Sequence, residues 1–439
     1  MSKINTSFAE IETIQLDTDL SLDELVRAGA QRMLKVALEA EVEAYIEQHT
    51  RERDEKGHAL VVRNGKSRER TIQTGAGSLP ITAPRVYDRR PGRRFTSKIL
   101  PAYMRRAPQL ETALPVLYLR GLSTNDFRPA LAALLGEEAV AGFSATTITR
   151  LLTVWQEEYR TWRKRSLVGK SYVYIWADGV HFNVRLEEDR LACLVIIGVT
   201  PSGSKEVIAI EDGYRESSES WATLLRDLKR RGMPAPKLAT ADGALGFWAA
   251  LREVFPQTQE QRCWVHKIAN VLDKLPKRLQ PRAKSQLHEI MRAPDRKTAI
   301  EEIGRFTAEF ENRYPKAANN LVKDQEKLLT FFDYPDAHWL HLRTSNAIES
   351  AFSTVKARTR TTKGAGSRNA GLAMAFKLLL EAEKCWRRVN SPHLVALVHA
   401  GVEFPDGKTR ILPDMPEEAK QAVLKVQEDA ADLASIHNI

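Results

Sequence analysis

Apolar residues recur at three- and four-residue intervals in some stretches of the chain and alternate or run together in others. That change of period divides the sequence. Leu22, Leu25, Val26, Met33, Val36 and Ala40 follow helical spacing behind Ser21-Leu22-Asp23-Glu24, a capping-box pattern. One or two amphipathic helices are therefore expected over 21–48, packed on their own domain or on a second copy of the chain, after a loose tail at 1–20. Residues 49–106 lose the helical period. The short alternating stretch Leu79-Pro80-Ile81-Thr82 stands out there, and Pro84, Pro91 and Pro101 argue against a long helix. Helical spacing returns from 108. Leu110, Leu114 and Leu117 share a face, and a second helix is capped by Ser123 or Thr124. A third follows Ser144, with Ile148, Leu151, Leu152 and Trp155 inside it. Short helices joined by Gly- and Ser-containing turns fit a helix-turn-helix unit, whose recognition helix would start near Ser144.

From Ser171 the residues are β-branched or aromatic between turn residues. Tyr172–Ala177, Phe182–Leu186, Leu191–Val199 and Lys205–Ile210 read as strands. A helix over Ser220–Arg231 follows, then a strand Lys237–Ala241, a helix Phe247–Val254 and a last strand Gln261–Val265. With the short second strand set aside, three antiparallel strands followed by alternating helix and strand is the order of a ribonuclease-H-like core. From Lys267 to about Leu342 the pattern is helical. Ser345–Arg360 is another helix, then comes a Gly-rich basic loop through Lys363, and a helix over Leu372–Val389. The expected fold class is multidomain α/β.

Charge adds a partner to this outline. The 439 residues hold 66 Lys and Arg against 56 Asp and Glu, a net +10, which points to a polyanion and to nucleic acid first. The cations cluster. Arg63, Lys66, Arg68 and Arg70 precede the alternating stretch, and Arg85, Arg89, Arg90, Arg93, Arg94, Lys98, Arg105 and Arg106 follow it against one acid, Asp88. A run so poor in acids suits a surface that tracks phosphates. Thr147 and Arg150 would face bases from the recognition helix. Three scattered cysteines argue against a disulfide framework and fit a reducing cytoplasm. The longest apolar stretch is far too short to span a membrane, and the first residues lack a signal-peptide pattern.

The candidate chemistry is acidic. Ala-Asp-Gly occurs twice, with Asp178 expected to end the first strand and Asp242 the later one. Asp-Gly alone is a common turn. On matching ends of neighbouring strands, however, two carboxylates would enter one cleft, and their repulsion would be offset by Mg²⁺ or Mn²⁺. Glu349 opens the helix whose apolar face is Ile348, Phe352 and Val355, and Lys356 lies two turns along the same side. Arg358, Arg360 and Lys363 extend a positive strip. Cys263 and His266 make at most half a zinc site. They are expected to brace the junction after the last strand, with Trp264 either in the core or stacked on an unpaired base.

Seven strings resemble the mutator-type transposases of bacterial insertion sequences, in order from about residue 20 to 390. They are Arg63-Asn64-Gly65, Leu100-Pro101-Ala102-Tyr103-Met104-Arg105-Arg106, Leu117-Tyr118-Leu119-Arg120-Gly121-Leu122-Ser123, Ala177-Asp178-Gly179, Ala241-Asp242-Gly243, Cys263-Trp264-Val265-His266-Lys267 and Ser345-Asn346-Ala347-Ile348-Glu349-Ser350. His181 stands where family members often carry an aromatic. The resemblance implies an acidic catalytic triad of Asp178, Asp242 and Glu349 holding two Mg²⁺ or Mn²⁺ ions, and a helical insertion between Asp242 and Glu349. Cys263, Trp264, His266 and Asn346 belong to supporting motifs. The expected organisation is a tail and helices with a role in dimerisation (1–48), a basic DNA-binding region (49–107) and a helix-turn-helix domain (108–168). The core (169–266), the insertion (267–342), the returning core (343–390) and a tail (391–439) follow. The activity implied is cleavage and transfer of DNA strands at terminal inverted repeats. Double-stranded DNA and at least one more copy of the chain would be the partners, in the cytoplasm and on the nucleoid when DNA-bound. A DNA-binding regulator with incidental acids, and a nuclease that does not join strands, are the alternatives.

Overall fold

The computed structural model describes residues 21–108, 145–184, 191–213, 217–243, 245–361 and 367–409, with isolated positions between 117 and 133. The protein is a mixed α/β chain of two compact units, Met1–Thr149 and Arg150–Ile439. Most of the expected helix-turn-helix lies outside the described residues. Its last helix is present as α2, below. Among the described residues no helix is long and apolar enough to cross a membrane.

In the first unit one unbroken helix, α1 (Leu22–Gln48), covers the segment after its N-cap Ser21. The Ser21 hydroxyl accepts from Glu24 N–H, and the Glu24 carboxylate accepts from Ser21 N–H, so the capping box is complete. Two short antiparallel pairs follow, β1 (Val61–Lys66) with β4 (Pro84–Asp88), and β2 (Arg70–Thr74) with β3 (Gly77–Ile81). The β1–β4 register shifts between Arg63 and Lys66, where Gly65 takes a positive φ of 60° that its Asn-Gly setting allows. Leu38 of α1, flanked by Ala30 and Leu34, shares a core with Ile72, Leu79, Ile81 and Leu100. The helix and the basic segment are thus one folded piece. Of the row expected to pack on its own domain or on a second copy, Leu22, Val26, Met33 and Val36 lie outside this core, 76, 50, 69 and 62% exposed. Helix α1 carries two apolar rows, and the strands cover the row through Ala30, Leu34 and Leu38.

The second unit is built on a five-stranded sheet, ordered β7-β6-β5-β8-β9. The strands are β5 (Tyr174–Phe182), β6 (Leu191–Val199), β7 (Lys205–Asp212), β8 (Leu238–Ala241) and β9 (Gln259–Arg262). Pairs β5–β6 and β6–β7 are antiparallel, whereas β5–β8 and β8–β9 are parallel. Strand β6 is buried at every position because both faces of the sheet are covered. On one face α3 (Ser218–Arg230) and α4 (Leu245–Val254) bring Trp221, Leu225, Leu228, Phe247 and Leu251 onto Ile175, Ala177, Leu194, Ile196 and Ala239. Helix α2 (Ala145–Arg163) anchors to β7 through the Tyr159 hydroxyl, which donates to Ile210 O.

Strand β5 departs from expectation. The Ala-Asp-Gly triplet does not end it, because Asp178 to Phe182 continue the ladder opposite Val195 to Leu191. The partner strand overrides the local turn preference, so Phe182 closes β5 rather than opening a strand of its own. Strand β9 ends at Arg262, and Trp264 already begins a helix.

Between β9 and the helix bearing Glu349 the chain is helical, as expected. It runs through α5 (Trp264–Leu272), α6 (Gln280–Met291), α7 (Arg296–Phe310), α8 (Pro315–Val322), α9 (Gln325–Leu329) and α10 (Trp339–Leu342). The chain then returns to the sheet through α11 (Asn346–Thr361) and α12 (Arg368–Glu383), before a short α13 (His393–His399). The return is pinned at every step. Tyr174 O–H faces His338 Nδ1 at 2.9 Å, Trp176 Nε1–H donates to His341 O, Thr240 Oγ–H to Leu342 O, and Trp264 N–H to Arg343 O. Trp264 is fully buried, and its indole N–H donates to Leu328 O, which removes the alternative of stacking on a base. Trp264→Ala should cost about 3–5 kcal/mol, the scale of emptying a large aromatic site in a core. Urea unfolding of the full chain measures it.

Candidate active site

The site begins with a register. Parallel pairing runs from Tyr174 opposite Leu238 to Ala177 opposite Ala241, so Asp178 and Asp242 are the residues that directly follow the last pair. Adjacent strands lie about 4.8 Å apart. Ala177 and Ala241 both enter the cluster beneath α3 and α4. By alternation Asp178 belongs to the opposite face, with Tyr174 and Trp176, where the returning chain and α11 lie. The Asp178 carboxylate accepts from Gly179 N–H at 2.8 Å. The Asp242 carbonyl accepts from the Trp248 indole at 2.8 Å, which fixes the backbone after β8. The glycine of the second triplet has a packing reason: a side chain at Gly243 would run into the Arg262 guanidinium.

The third strand end leads to the third acid. Cys263 follows β9, and its N–H donates to Ala241 O. Ser345 stands just before α11, fully buried. Its N–H donates to Cys263 Sγ at 3.2 Å, and its hydroxyl oxygen lies 3.1 Å from that sulfur and 2.6 Å from Glu349 Oε1. His266 Nδ1 is 3.4 Å from Ser345 Oγ and 3.8 Å from Glu349 Oε1. Among the described residues, the ligand atoms of Cys263, His266 and Glu349 form the one metal-compatible group, all within 4.8 Å of one another. Asp178 and Asp242 stand outside it. The structure therefore gathers Glu349 with the Cys-x-x-His pair, and sets each aspartate directly after the last residue paired between β5 and β8.

Electrostatics tie the two groups together. The hydrogen bond with Cys263, together with the charges of Cys263, Glu349 and Asp242, raises His266 to about 9 despite partial burial. Burial raises the Cys263 thiol, but hydrogen bonds from His266 and Ser345 outweigh it and the net direction is down. The next residue of the same motif, Lys267, is fully buried and lowered to about 8 by desolvation, although its ammonium donates to Asn320 O and pairs with Asp324. Asp324 also pairs with Arg262 at 3.0 Å, so two cations from the end of the sheet hold the turn after α8.

Against this geometry stand the comparisons with known proteins. The family described as "Transposase, Mutator family" matches residues 2–388. The chain belongs to the Mutator family of transposases. It is 56% identical over 299 residues to the transposase for insertion sequence element IS6120 of Mycolicibacterium smegmatis, covering 68% of this chain and 92% of that one. Identity is 47% over 286 residues to the transposase for IST2 of Acidithiobacillus ferrooxidans, covering 63% and 94%. A more distant relative, the transposase for ISRM5 of Rhizobium meliloti, is 27% identical over 387 residues, 88% of this chain and 93% of that one.

In this Mutator-family chain the residues expected to touch DNA fall into distinct settings. Lys66, Arg68, Arg89, Arg93, Arg94 and Arg105 are exposed, and Arg106 is half-buried. Arg63 pairs with Glu39 of α1. Arg90 departs from the expected phosphate surface. It is folded onto Asp88 at 2.7 Å, with Glu52 and the Tyr45 hydroxyl around it, and holds the Asp88 carboxylate far below its ordinary range. It staples α1 to the end of β4. Arg150 is exposed on α2, where Thr147 also lies. On α11, Asn346 and Lys356 are exposed, but Arg358 is 3% exposed and so does not extend the surface strip. Arg360 falls in the last turns of α11, and Lys363 lies outside the described residues.

The sequence assigned no role of their own to Ser345, Lys267 and Arg262, although the first two fall in the strings above. Ser345 had a local signal, a serine one turn ahead of Glu349 at a helix start. The other two had none, since their partners are more than 50 residues away.

His266 yields a pH test. A folded value near 9, above the ordinary 6.5, means that its contribution to stability is complete below pH 6.5 and disappears as pH rises through 9. In EDTA, the unsubstituted chain should lose melting temperature as pH rises from 6.5 to 9, and His266→Gln should flatten that fall. Parallel curves for the two proteins would contradict the assignment.

Proposed function

We propose that this protein is a DNA transposase that binds the terminal inverted repeats of an insertion sequence, cuts strands there and joins them to target DNA. The observation that carries this reading is the in-register placement of Asp178 and Asp242 at the end of β5–β8 pairing, on the face that receives α11 with Glu349. Sheet order β7-β6-β5-β8-β9, with three antiparallel strands and two parallel additions, supports a ribonuclease-H-like core interrupted by the helices of 264–342. The exposed cations of 66–105 suit the phosphate backbone, and the segment ending in α2 suits base reading. Double-stranded DNA is the partner, in the cytoplasm, and bringing two ends together calls for at least a dimer.

Three partly buried carboxylates offer hard oxygen donors, which fit Mg²⁺ or Mn²⁺. Asp178, Asp242 and Glu349 would hold two such ions, which when bound activate the attacking oxygen and neutralise charge at the phosphate. The chain's own part is placement. The sheet holds two acids at a fixed spacing, and α11 brings the third together with Lys356. Cleavage places water oxygen on phosphorus and breaks its bond to the 3′ oxygen, which leaves as a free hydroxyl. In joining, that hydroxyl attacks a target phosphate and one target P–O bond breaks, so bond number is conserved.

Purified full-length chain, labelled element ends and Mg²⁺ test the reading. Asp178→Asn, Asp242→Asn and Glu349→Gln should each lower cleavage at least about 100-fold, the scale of losing one group that stabilises transition-state charge. Binding to the ends should persist, and EDTA should abolish cutting. Near-normal cleavage by any of the three variants, or in EDTA, would remove the triad. Cutting without joined products would reduce the protein to a nuclease.

A further inference from the structure

Between Cys263 and Glu349 sits a buried hydroxyl that the reaction as described does not use. We infer that Ser345, gripped by Cys263, is the positioning residue of the Glu349 carboxylate, an inference that rests on Glu349 being a metal ligand. Ser345 is wholly inaccessible to solvent, and so is Cys263. A buried hydroxyl must find its partners within the protein. Here they are Glu349 Oε1 at 2.6 Å, Cys263 Sγ at 3.1 Å and His266 Nδ1 at 3.4 Å. The hydroxyl has one proton. The 2.6 Å contact with a carboxylate takes it, because charge-assisted bonds are the short and strong ones. Cys263 holds the same residue from behind by accepting Ser345 N–H at 3.2 Å.

The relay joins distant parts of the chain. Cys263 is one residue past the Ala241–Arg262 register, so its sulfur is fixed by the sheet that carries the two aspartates. Glu349, by contrast, stands in the first turn of α11 with its side chain 35% exposed. A glutamate on a helix start has several rotamers open to it. One bond to Ser345 selects the rotamer, and one bond from Ser345 to Cys263 refers it to the sheet that carries the aspartates. The Cys-x-x-His motif then serves the acidic site through Ser345. The same three ligand atoms suggest a rival, a thiophilic metal held by Cys263, His266 and Glu349. Ser345 Oγ already lies within 3.4 Å of all three, so an ion there would have to displace it.

Mn²⁺ binding to the full-length chain, followed by the electron paramagnetic resonance of the free ion, separates these readings without using activity. Ser345→Ala should weaken Mn²⁺ binding about 10–100-fold, the range for loss of a hydrogen bond that orients a ligand. Ser345→Thr, which keeps the hydroxyl, should restore it. Cys263→Ala should weaken binding in the same direction while leaving Ser345 in place, and it carries the comparison if Ser345→Ala fails to fold. Circular dichroism and DNA binding report the fold. If Glu349→Gln loses Mn²⁺ but Ser345→Ala and Cys263→Ala do not, the positioning role is overturned and the triad stands. If Glu349→Gln binds Mn²⁺ like the unsubstituted chain, the triad fails and the inference falls with it. A sulfur-to-metal absorption band on adding Co²⁺, absent from Cys263→Ser, would establish the rival metal site and overturn the inference.

Discussion

Parallel pairing between β5 and β8 is the constraint on which the candidate site depends. Ala177 opposite Ala241 sets Asp178 beside Asp242, and the alternation of side chains decides which face they take. A slip of one residue would exchange the faces and send the first acid toward the core beneath α3 and α4. Such a slip is opposed on both sides. Ile175, Ala177, Ala239 and Ala241 are packed into one apolar cluster, while Trp176 and Thr240 donate to carbonyls of the returning chain on the other face. Core burial and polar satisfaction thus enforce the same register.

That return makes a long helical excursion compatible with an accurate third acid. About 80 residues separate Cys263 from Ser345, and a flexible connection of that length would leave Glu349 free to wander. Instead, carbonyls 341 to 343 are each bonded to a donor on β5, on β8 or at the start of α5. Lys267 and Arg262 hold the far side of the excursion through Asp324. A buried lysine is costly to desolvate, and pairing offsets that cost only where the partner is held in place.

The first unit applies the same physics to a smaller core. Its strands are short, and α1 closes one side of them. Arg90 joins the helix end to Asp88, where a neighbouring arginine of the same run stays in solvent. Leu22, Val26, Met33 and Val36 form an outward apolar row on α1, with no described residue covering it.

The sequence by itself determined a good deal. The capping box at Ser21, the order of strands and helices from 172 to 262, the helical stretch after Lys267 and the apolar face of α11 all follow from local pattern, because each depends on residues a few positions apart. The acids were visible too, since a repeated Ala-Asp-Gly and a glutamate at a helix start need no partner to be noticed. Tertiary structure decided the rest. Periodicity cannot choose between two apolar rows on α1, because only the strands they meet distinguish them. It cannot tell Arg90 from Arg93, or see that Arg358 is buried, because composition is the same whether a cation faces solvent or a carboxylate. It ended the first strand at Asp178 because an Asp-Gly turn preference is local, whereas the ladder with β6 that overrides it comes from residues 191–195. The contact of Cys263 with Ser345 and Glu349 lay furthest out of reach, since it exists only once the sheet and the helical excursion have closed on each other.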